Sequence, residues 1–149
     1  MIDTLPAVAS GEGGASGFRY PRRVQFAETD LAGIVHFSWM FRYMEEAEHA
    51  LWRAAGLSIA DRGSDMGWPR VSAAFAFRNP LYFEDEFEVI VRLEQVKQRS
   101  LHYQHTIVKG ETVIGTGTMT TVCVRNAAGG LQAINIPLDL VKKLQAVLG

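Results

Sequence analysis

The sequence has 149 residues, of which 48% are hydrophobic and 21% charged, and its formal net charge is −1. This length predicts one domain with a hydrophobic core. The near-neutral charge argues against binding nucleic acid by general attraction to phosphate. The single cysteine, Cys123, excludes an internal disulfide. Because no apolar run approaches the roughly 18 residues that span a bilayer, and no secretory signal pattern is present, we expect a cytoplasmic protein with neither nucleic acid nor membrane as a partner.

The chain begins with a segment dominated by Gly, Ala and Ser, which cannot bury enough surface to order itself. We therefore predict a flexible leader over residues 1–17 and a single folded domain over residues 18–149. Loosely alternating apolar and polar residues predict a first strand over residues 18–26. A tight turn from Asp30 to Gly33 follows and places a carboxylate between this strand and the next element.

Helical spacing of apolar residues predicts a long helix over residues 38–55. Ser38 is suited to its N-cap, and Gly56 to the position after its end, where glycine adopts left-handed backbone angles. Trp39, Phe41 and Trp52 lie outside the main apolar stripe, so we expect most of the helix circumference to be buried. The stripe itself consists of Met40, Tyr43, Met44, Ala47, Leu51 and Ala54.

Alternating apolar and polar residues predict antiparallel strands in the remaining chain. Gly115 and Gly117 indicate a bulge or a close approach of another backbone. One long helix with several long strands is an α+β architecture, and a sheet curved around the helix would bury both. The remaining face and edges of such a sheet favour oligomers. The predicted strands cover residues 71–77, 87–94, 101–108 and 112–125, and a second helix covers residues 138–147.

Several separated motifs resemble one family. They are DLAGIV from Asp30, Phe41-Arg42 with an acidic helix, GWPRVS from Gly67, KQRSL from Lys97, and AINIP from Ala133. Their order is similar to that in the hotdog-fold acyl-CoA thioesterases of the 4-hydroxybenzoyl-CoA thioesterase type, over about residues 18–145. The resemblance implies a hotdog fold, in which a curved antiparallel sheet wraps one long central helix. It also implies homo-oligomers, either dimers or dimers of dimers, with the active site at the subunit interface.

Asp30 is the residue on which the functional prediction depends. An Asp in such a turn commonly caps the turn or the following helix, and from the residues alone that is its ordinary role. The resemblance implies instead that Asp30 attacks the thioester carbonyl or acts as general base for water, and it leaves both roles open. It also implies that the backbone N–H of Phe37 polarises the carbonyl, which an unpaired N–H at a helix N-terminus can do.

Further residues near the turn are expected to bind the substrate, namely Gly33, His36 and Trp39, together with Trp68. Relatives of this type often carry a histidine at the position of Phe37 and an asparagine at that of Trp39. This offset makes His36 a residue that lines the pocket and tunes its charge rather than a catalytic base. The aromatic side chains suit an aryl or bulky acyl group.

Lys97, Arg99 and Ser100 form a short basic patch at a strand start. Such small clusters are commonly solvated strand ends, but the resemblance implies that these residues hold the phosphates of coenzyme A through charge-assisted hydrogen bonds. No metal is expected, because His102 and His105 have no companions at metal-ligand spacing. No cofactor is expected either, since coenzyme A enters as part of the substrate.

Glu45, Glu46 and Glu48 are predicted to lie on the solvent or interface face of the helix rather than to form a catalytic cluster. The expected activity is hydrolysis of an acyl-CoA thioester. Three alternatives stay open: a thioesterase that acts on acyl groups carried by acyl carrier protein, a non-catalytic acyl-CoA-binding protein, and a hydratase on the same fold.

Overall fold

The structure is a computed structural model that describes residues 17–149. Residues 1–16 of the predicted leader lie outside this range. A short 3-10 helix, Phe26–Glu28, follows the first strand. The strands and the two α-helices are, in chain order, β1 (Phe18–Arg23), α1 (Trp39–Ala54), β2 (Met66–Gly67), β3 (Arg70–Phe77), β4 (Glu86–Val96), β5 (Ser100–Lys109), β6 (Thr112–Val122), β7 (Val124–Ala127), β8 (Gly130–Ala133) and α2 (Leu138–Leu148).

The larger sheet is antiparallel and has five strands in the order β1-β4-β5-β6-β3. Its two edges are β1 and β3, and α1 contacts both edges as well as β4. A helix reaches both edges when the sheet curves around it, so the predicted α+β arrangement is confirmed. A smaller antiparallel sheet of β2, β7 and β8 continues where β6 ends.

The core lies between α1 and the inner face of the larger sheet. Alternate residues of β5 are buried there, as the period of two in a strand requires. The helical stripe predicted from the sequence faces them, except that Ala54 is exposed in the last turn of α1. The buried members of both elements include Tyr43, Met44, Ala47, Leu51, Leu101, Tyr103 and Ile107.

The glycines of β6 mark a close approach, as predicted. A Cβ at Gly115 would lie 2.5 Å from Ala76 O and from the ring of Phe75, and one at Gly117 would lie 2.7 Å from the sulfur of Met44. These two positions therefore let the neighbouring strand and the central helix pack directly on the β6 backbone.

Two local predictions differ from the structure. The first strand ends at Arg23, before the predicted residue 26, because the chain turns into the 3-10 helix. The predicted strand over residues 112–125 divides at Cys123, whose N–H and C=O bond Arg99 and Ile134 instead of continuing the ladder of β6. Ser38 occupies the predicted N-cap position of α1, although its side chain makes no cap hydrogen bond, and Gly56 has the expected positive φ of 76°.

Among the described residues, neither α-helix is long and apolar enough to cross a bilayer. In the same residues, no group of three His, Cys, Asp or Glu side chains is placed to hold a metal ion.

Candidate active site

Asp30 lies in a closed turn between the 3-10 helix and α1. Its N–H donates to Ile34 O at 2.9 Å, and Gly33 N–H donates to Asp30 O at 3.0 Å. Its Oδ1 accepts the Ala32 N–H at 2.8 Å, while the positive φ of Gly33, 83°, suits the left-handed region that glycine tolerates. Asp30 is exposed, and in the described residues Oδ2 has no hydrogen-bond partner. The carboxylate thus caps its turn with one oxygen and presents the other.

At the entry to α1, the backbone N–H of Phe37 has no hydrogen-bond acceptor among residues 17–149. His36 N–H donates to Glu28 O at 2.9 Å, and Trp39 N–H donates to His36 O at 2.9 Å. Ser38 N–H is directed at Nδ1 of His36, at 3.3 Å. Because the N–H of Phe37 lies at the positive end of the helix dipole, it is suited to bind a carbonyl oxygen.

The loop that joins these two groups is fastened to the fold. Thr29 and Val35 form an antiparallel bridge across it, and Ile34 bridges to Tyr82. Val35 is buried and its N–H donates to Leu81 O at 2.9 Å. The free oxygen of Asp30 and the free N–H of Phe37 therefore stand on one braced loop, at the start of the central helix.

His36 and Trp39 flank this loop. Nδ1 of His36 lies 2.8 Å from Ser38 Oγ, and its ring packs 4.6 Å from that of Phe37. The ring of Trp39 is half-buried beside Tyr43, at 5.9 Å. His36 is exposed, and among the described residues its side-chain hydrogen bonds are to Ser38 and not to a carboxylate.

Trp68 lies at the other end of α1. Its ring packs edge-on against that of Trp52 at 5.1 Å, beside a cavity of about 170 Å³ that Ile59 and Met66 also line. Trp52 lies 13 positions after Trp39 in α1, which is about 20 Å along the helix axis. Within one chain, the structure therefore does not bring Trp68 together with Asp30.

The basic patch of Lys97, Arg99 and Ser100 also lies far from Asp30, at the opposite end of β4. Lys97 N–H donates to Ser100 O at 2.9 Å and closes the turn after β4. The loop that carries Asp30 lies instead beside Leu81 and Tyr82, just before β4 begins. Since β4 has 11 residues, about 33 Å of strand separates the two sites.

Within the patch, the three predicted side chains differ in their surroundings. Lys97 and Arg99 are exposed, and in the described part of the chain neither pairs with a carboxylate. Arg99 Nε donates to Asn135 Oδ1 at 3.3 Å. The hydroxyl of Ser100 lies 3.0 Å from Nε2 of His102. Two cations are thus available to an anion, whereas Ser100 already has a side-chain partner.

The prediction for the helix glutamates is wrong for Glu48. Its side chain has no exposed surface, and Arg70 Nη2 lies 2.6 Å from its Oε1. A signal was present in the sequence, because Glu48 lies four residues from both Met44 and Trp52, on the buried side of α1. Glu46 is partly buried against Arg22 instead.

Sequence reasoning also missed Glu28. This carboxylate, two residues before Asp30, is 3% exposed. It receives hydrogen bonds from Arg22, Tyr43 and the N–H of Gln25. Only the Gln25 N–H is a local partner; the local pattern does not predict a buried acid here, because the side chains that bury it come from β1 and from the second turn of α1.

Comparison with known proteins identifies the family. Residues 24–144 match the model of the Thioesterase-like superfamily. A relative from Aquifex aeolicus, provisionally named an esterase, is 32% identical over 86% of this chain and 98% of its own length. A 1,4-dihydroxy-2-naphthoyl-CoA hydrolase from Microcystis aeruginosa is 24% identical over 73% of this chain and 80% of its own.

Solved structures agree on the fold. A gentisyl-coenzyme A thioesterase structure superposes with a TM-score of 0.76 at 26% identity, covering 85% of this chain and 99% of that one. An uncharacterised Aquifex aeolicus protein superposes with a TM-score of 0.80 at 30% identity, covering 85% and 98%. The hotdog fold is thereby confirmed. The chain belongs to the Thioesterase-like superfamily and is an enzyme of the thioester-hydrolase class.

Proposed function

We propose that this protein hydrolyses the thioester of an aryl or other bulky acyl-CoA. One observation carries the proposal: a free carboxylate oxygen of Asp30 and a free backbone N–H of Phe37 stand on the same braced loop. The named relatives, which act on 1,4-dihydroxy-2-naphthoyl-CoA and gentisyl-CoA, support an aryl substrate. The exposed ring of Phe37 and the half-buried ring of Trp39 offer apolar walls for it.

In the proposed reaction, the N–H of Phe37 donates a hydrogen bond to the thioester carbonyl oxygen. Asp30 either attacks the carbonyl carbon or takes a proton from the water that does so. If Asp30 attacks, the carbon–sulfur bond breaks to leave a mixed anhydride on Asp30, and water then cleaves that anhydride; if water attacks, the carbon–sulfur bond breaks directly. In both cases the departing thiolate of coenzyme A takes up a proton, and water supplies the oxygen that is added overall to form the free acid. A backbone donor of this kind is worth about 2.7–4 kcal/mol in the transition state, and a general base contributes about 10²–10⁴-fold.

We further propose that the site is completed by a second copy of the chain. Strand β3 is an edge of the larger sheet and carries Val71 and Phe77 with 61% and 42% of their surface exposed. Such an edge offers unpaired backbone groups to another strand. Two β3 edges paired antiparallel about a two-fold axis would bring the Arg70 end of one chain to the Phe77 end of the other.

This pairing would bring together predicted site residues that lie far apart within one chain. The Phe77 end of β3 lies at the end of the sheet that carries Asp30. The chain leaves β3 at Phe77 and soon reaches Leu81 and Tyr82, which bond the loop that carries Asp30. The partner subunit's Trp68 and basic patch would then approach Asp30. Lys97 and Arg99 would hold the coenzyme A phosphates.

The activity is tested by release of free thiol from a panel of acyl-CoAs. We expect the highest kcat/KM among 1,4-dihydroxy-2-naphthoyl-, gentisyl- and 4-hydroxybenzoyl-CoA, and lower values for short linear chains. Preference for 4-hydroxybenzoyl-CoA within this set would assign the protein to the 4-hydroxybenzoyl-CoA thioesterase type. Faster turnover of the same acyl group on acyl carrier protein would favour the alternative carrier. Binding without thiol release from any substrate would make the protein a binder rather than an enzyme.

The two-chain site is tested by complementation. One variant carries Asp30→Asn and the other Lys97→Ala with Arg99→Ala, and the two are unfolded and refolded together. If each site draws on both chains, half of the dimers are mixed and each contains one intact site, which restores about a quarter of wild-type activity. If each site lies within one chain, the mixture stays as inactive as its components.

A further inference from the structure

We infer that Glu28, held by Arg22 and Tyr43, is a positioning residue that fixes Asp30 relative to the N–H of Phe37. The inference rests on the proposed function, because it concerns how the same site is held. Glu28 itself would touch neither substrate nor water. Its side chain is 3% exposed, and hydrogen bonds from the protein occupy both of its oxygens.

The contacts of the Glu28 carboxylate come from three elements. Arg22, at the end of β1, donates from Nη1 to Oε1 at 2.9 Å and from Nη2 to Oε2 at 2.6 Å. Tyr43, in the second turn of α1, donates from its hydroxyl to Oε1 at 2.7 Å. Gln25 donates its backbone N–H to Oε1 at 2.9 Å. One side chain thus joins the edge strand, the 3-10 helix and the central helix.

The backbone of Glu28 fastens the far side of the same loop. Its carbonyl accepts the N–H of His36 at 2.9 Å, and Phe37 follows directly. Asp30 is two residues from Glu28 on one side of the loop, whereas the N–H of Phe37 is one residue beyond the bond on the other. The positions of Asp30 and of the Phe37 N–H are therefore both set by the buried residue Glu28, which acts as their anchor.

Arg22 is itself fixed, so the anchor does not move freely. Its Nε donates to Glu46 Oε1 at 2.9 Å, and Tyr20 donates its hydroxyl to the same oxygen at 3.0 Å. The guanidinium also lies 5.0 Å from the centre of the Tyr43 ring. The fork of Arg22 therefore bridges two carboxylates and couples the first strand to α1.

The charge state suits an anchor rather than a base. Burial alone would raise the pKa of Glu28, but the hydrogen bonds from Arg22, Gln25 and Tyr43 together hold it below its ordinary value. The side chain is thus a carboxylate at neutral pH, and it already accepts four hydrogen bonds from Arg22, Gln25 and Tyr43. It has no free oxygen with which to activate water.

The test is Glu28→Gln, which keeps the size of the side chain but removes its charge. We expect kcat for the best acyl-CoA of the panel to fall on the order of 10²-fold, as for a misplacement of about 1 Å, with KM little changed. Leu144→Ala is the matched control, because it truncates a fully buried core residue in α2. It should lower Tm but leave kcat at the wild-type value in the folded enzyme.

A second comparison separates positioning from general loosening. If Glu28 acts through Asp30, adding Glu28→Gln to Asp30→Asn should slow hydrolysis far less than it slows the wild type. A wild-type kcat in Glu28→Gln would overturn the inference, as would an equal loss of kcat in Leu144→Ala. A wild-type enzyme that cleaves no acyl-CoA would instead overturn the proposed function.

If Glu28→Gln does not fold, Tyr43→Phe decides the question. This variant removes one hydrogen bond to the anchor and keeps the ring in the core. A kcat lowered by about 5-fold at unchanged KM would support the inference, in line with the loss of one hydrogen bond. An unchanged kcat would overturn it.

Discussion

Nη2 of Arg70 lies 2.6 Å from Oε1 of Glu48, a carboxylate with no exposed surface. The same Nη2 also reaches Oε2 of Glu45 at 3.1 Å. Arg70 is partly exposed and is the first residue of β3, so this ion pair with the buried Glu48 fixes the start of the edge strand to the central helix. Taking two charges out of water is costly, and the pair is therefore better understood as a device that sets geometry than as a source of stability.

Breaking this pair should be expensive, whereas removing it altogether should not. We expect Glu48→Gln to lower the free energy of unfolding by about 1–3 kcal/mol, because it leaves the partly buried Arg70 with Glu45 as its ionic partner and removes the buried charge that it faces. The double variant Glu48→Leu, Arg70→Met should recover most of that loss. Glu45→Gln is the control: its side chain is 40% exposed, and we expect a cost below about 1 kcal/mol. Urea unfolding measures all three, and equal losses for Glu45 and Glu48 would contradict this account.

Asp30→Asn should remove activity without disturbing the fold. The amide oxygen of Asn can still accept the Ala32 N–H, so the turn is kept, but the side chain can neither attack nor take a proton. We expect kcat to fall by about 10²–10⁴-fold while Tm and acyl-CoA binding stay near their wild-type values. Asp139→Asn, which neutralises an exposed carboxylate on α2, should leave kcat unchanged. Turnover by Asp30→Asn at the wild-type rate would remove Asp30 from the mechanism.

His105 should make stability depend on pH. Burial, with the positive charge of Arg70 nearby, lowers the pKa of His105 to about 3. In the unfolded chain its pKa is about 6.5, so between these values the unfolded state binds a proton that the folded state does not. The free energy of unfolding should therefore decrease as pH falls through this range, by at most about 1.4 kcal/mol per pH unit.

His105→Leu tests that prediction, because it removes the titrating group from a fully buried site. Urea unfolding at several values between about pH 4 and pH 7 should show a shallower loss of stability in the variant than in the wild type. His102→Leu, at a partly buried position of the same strand, is the comparison variant. Parallel curves for His105→Leu and the wild type would show that His105 does not contribute.

Gly115→Ala should destabilise the sheet. An added Cβ would meet Ala76 O and the Phe75 ring at 2.5 Å, and a backbone oxygen in a paired strand cannot easily move away. We expect a cost of about 1–3 kcal/mol from overpacking. Gly63→Ala is the matched control, since its Cβ would lie 3.5 Å from the nearest atom, Asp61 Oδ1, an ordinary contact. Thermal unfolding of both variants measures the difference, and similar Tm values would contradict the role of Gly115.

Local patterns predicted much of this molecule. The helical pattern of Met40, Met44 and Leu51 can be read from residues close to one another in the sequence, and these three residues are buried as predicted. The alternation in β4 and β5 likewise depends on nearby residues alone. The turn at Asp30 was recognisable because Asp and Gly carry their own backbone preferences. The resemblance to known thioesterases then supplied roles that these patterns do not contain.

The rest depends on pairings between distant parts of the chain. Glu28 is buried because Arg22 and Tyr43 meet it from two other elements, which no short window of sequence reveals. The separation of Lys97 from Asp30 follows from the direction of β4 in the sheet. Strands β2 and β8 are short and pair with β7, so neither carries enough alternation to be recognised alone.

The tryptophans give the protein a built-in optical reporter for each end of its central helix. The sequence has three of them: Trp39 in the first turn of α1, beside Tyr43, and Trp52 with Trp68 near its last turn. Trp52 donates its indole N–H to the hydroxyl of Tyr103 at 3.0 Å, whereas Trp39 is half-buried at the opposite end. Emission changes on ligand binding can therefore be assigned to one end or the other with Trp39→Phe and Trp68→Phe, without any added label.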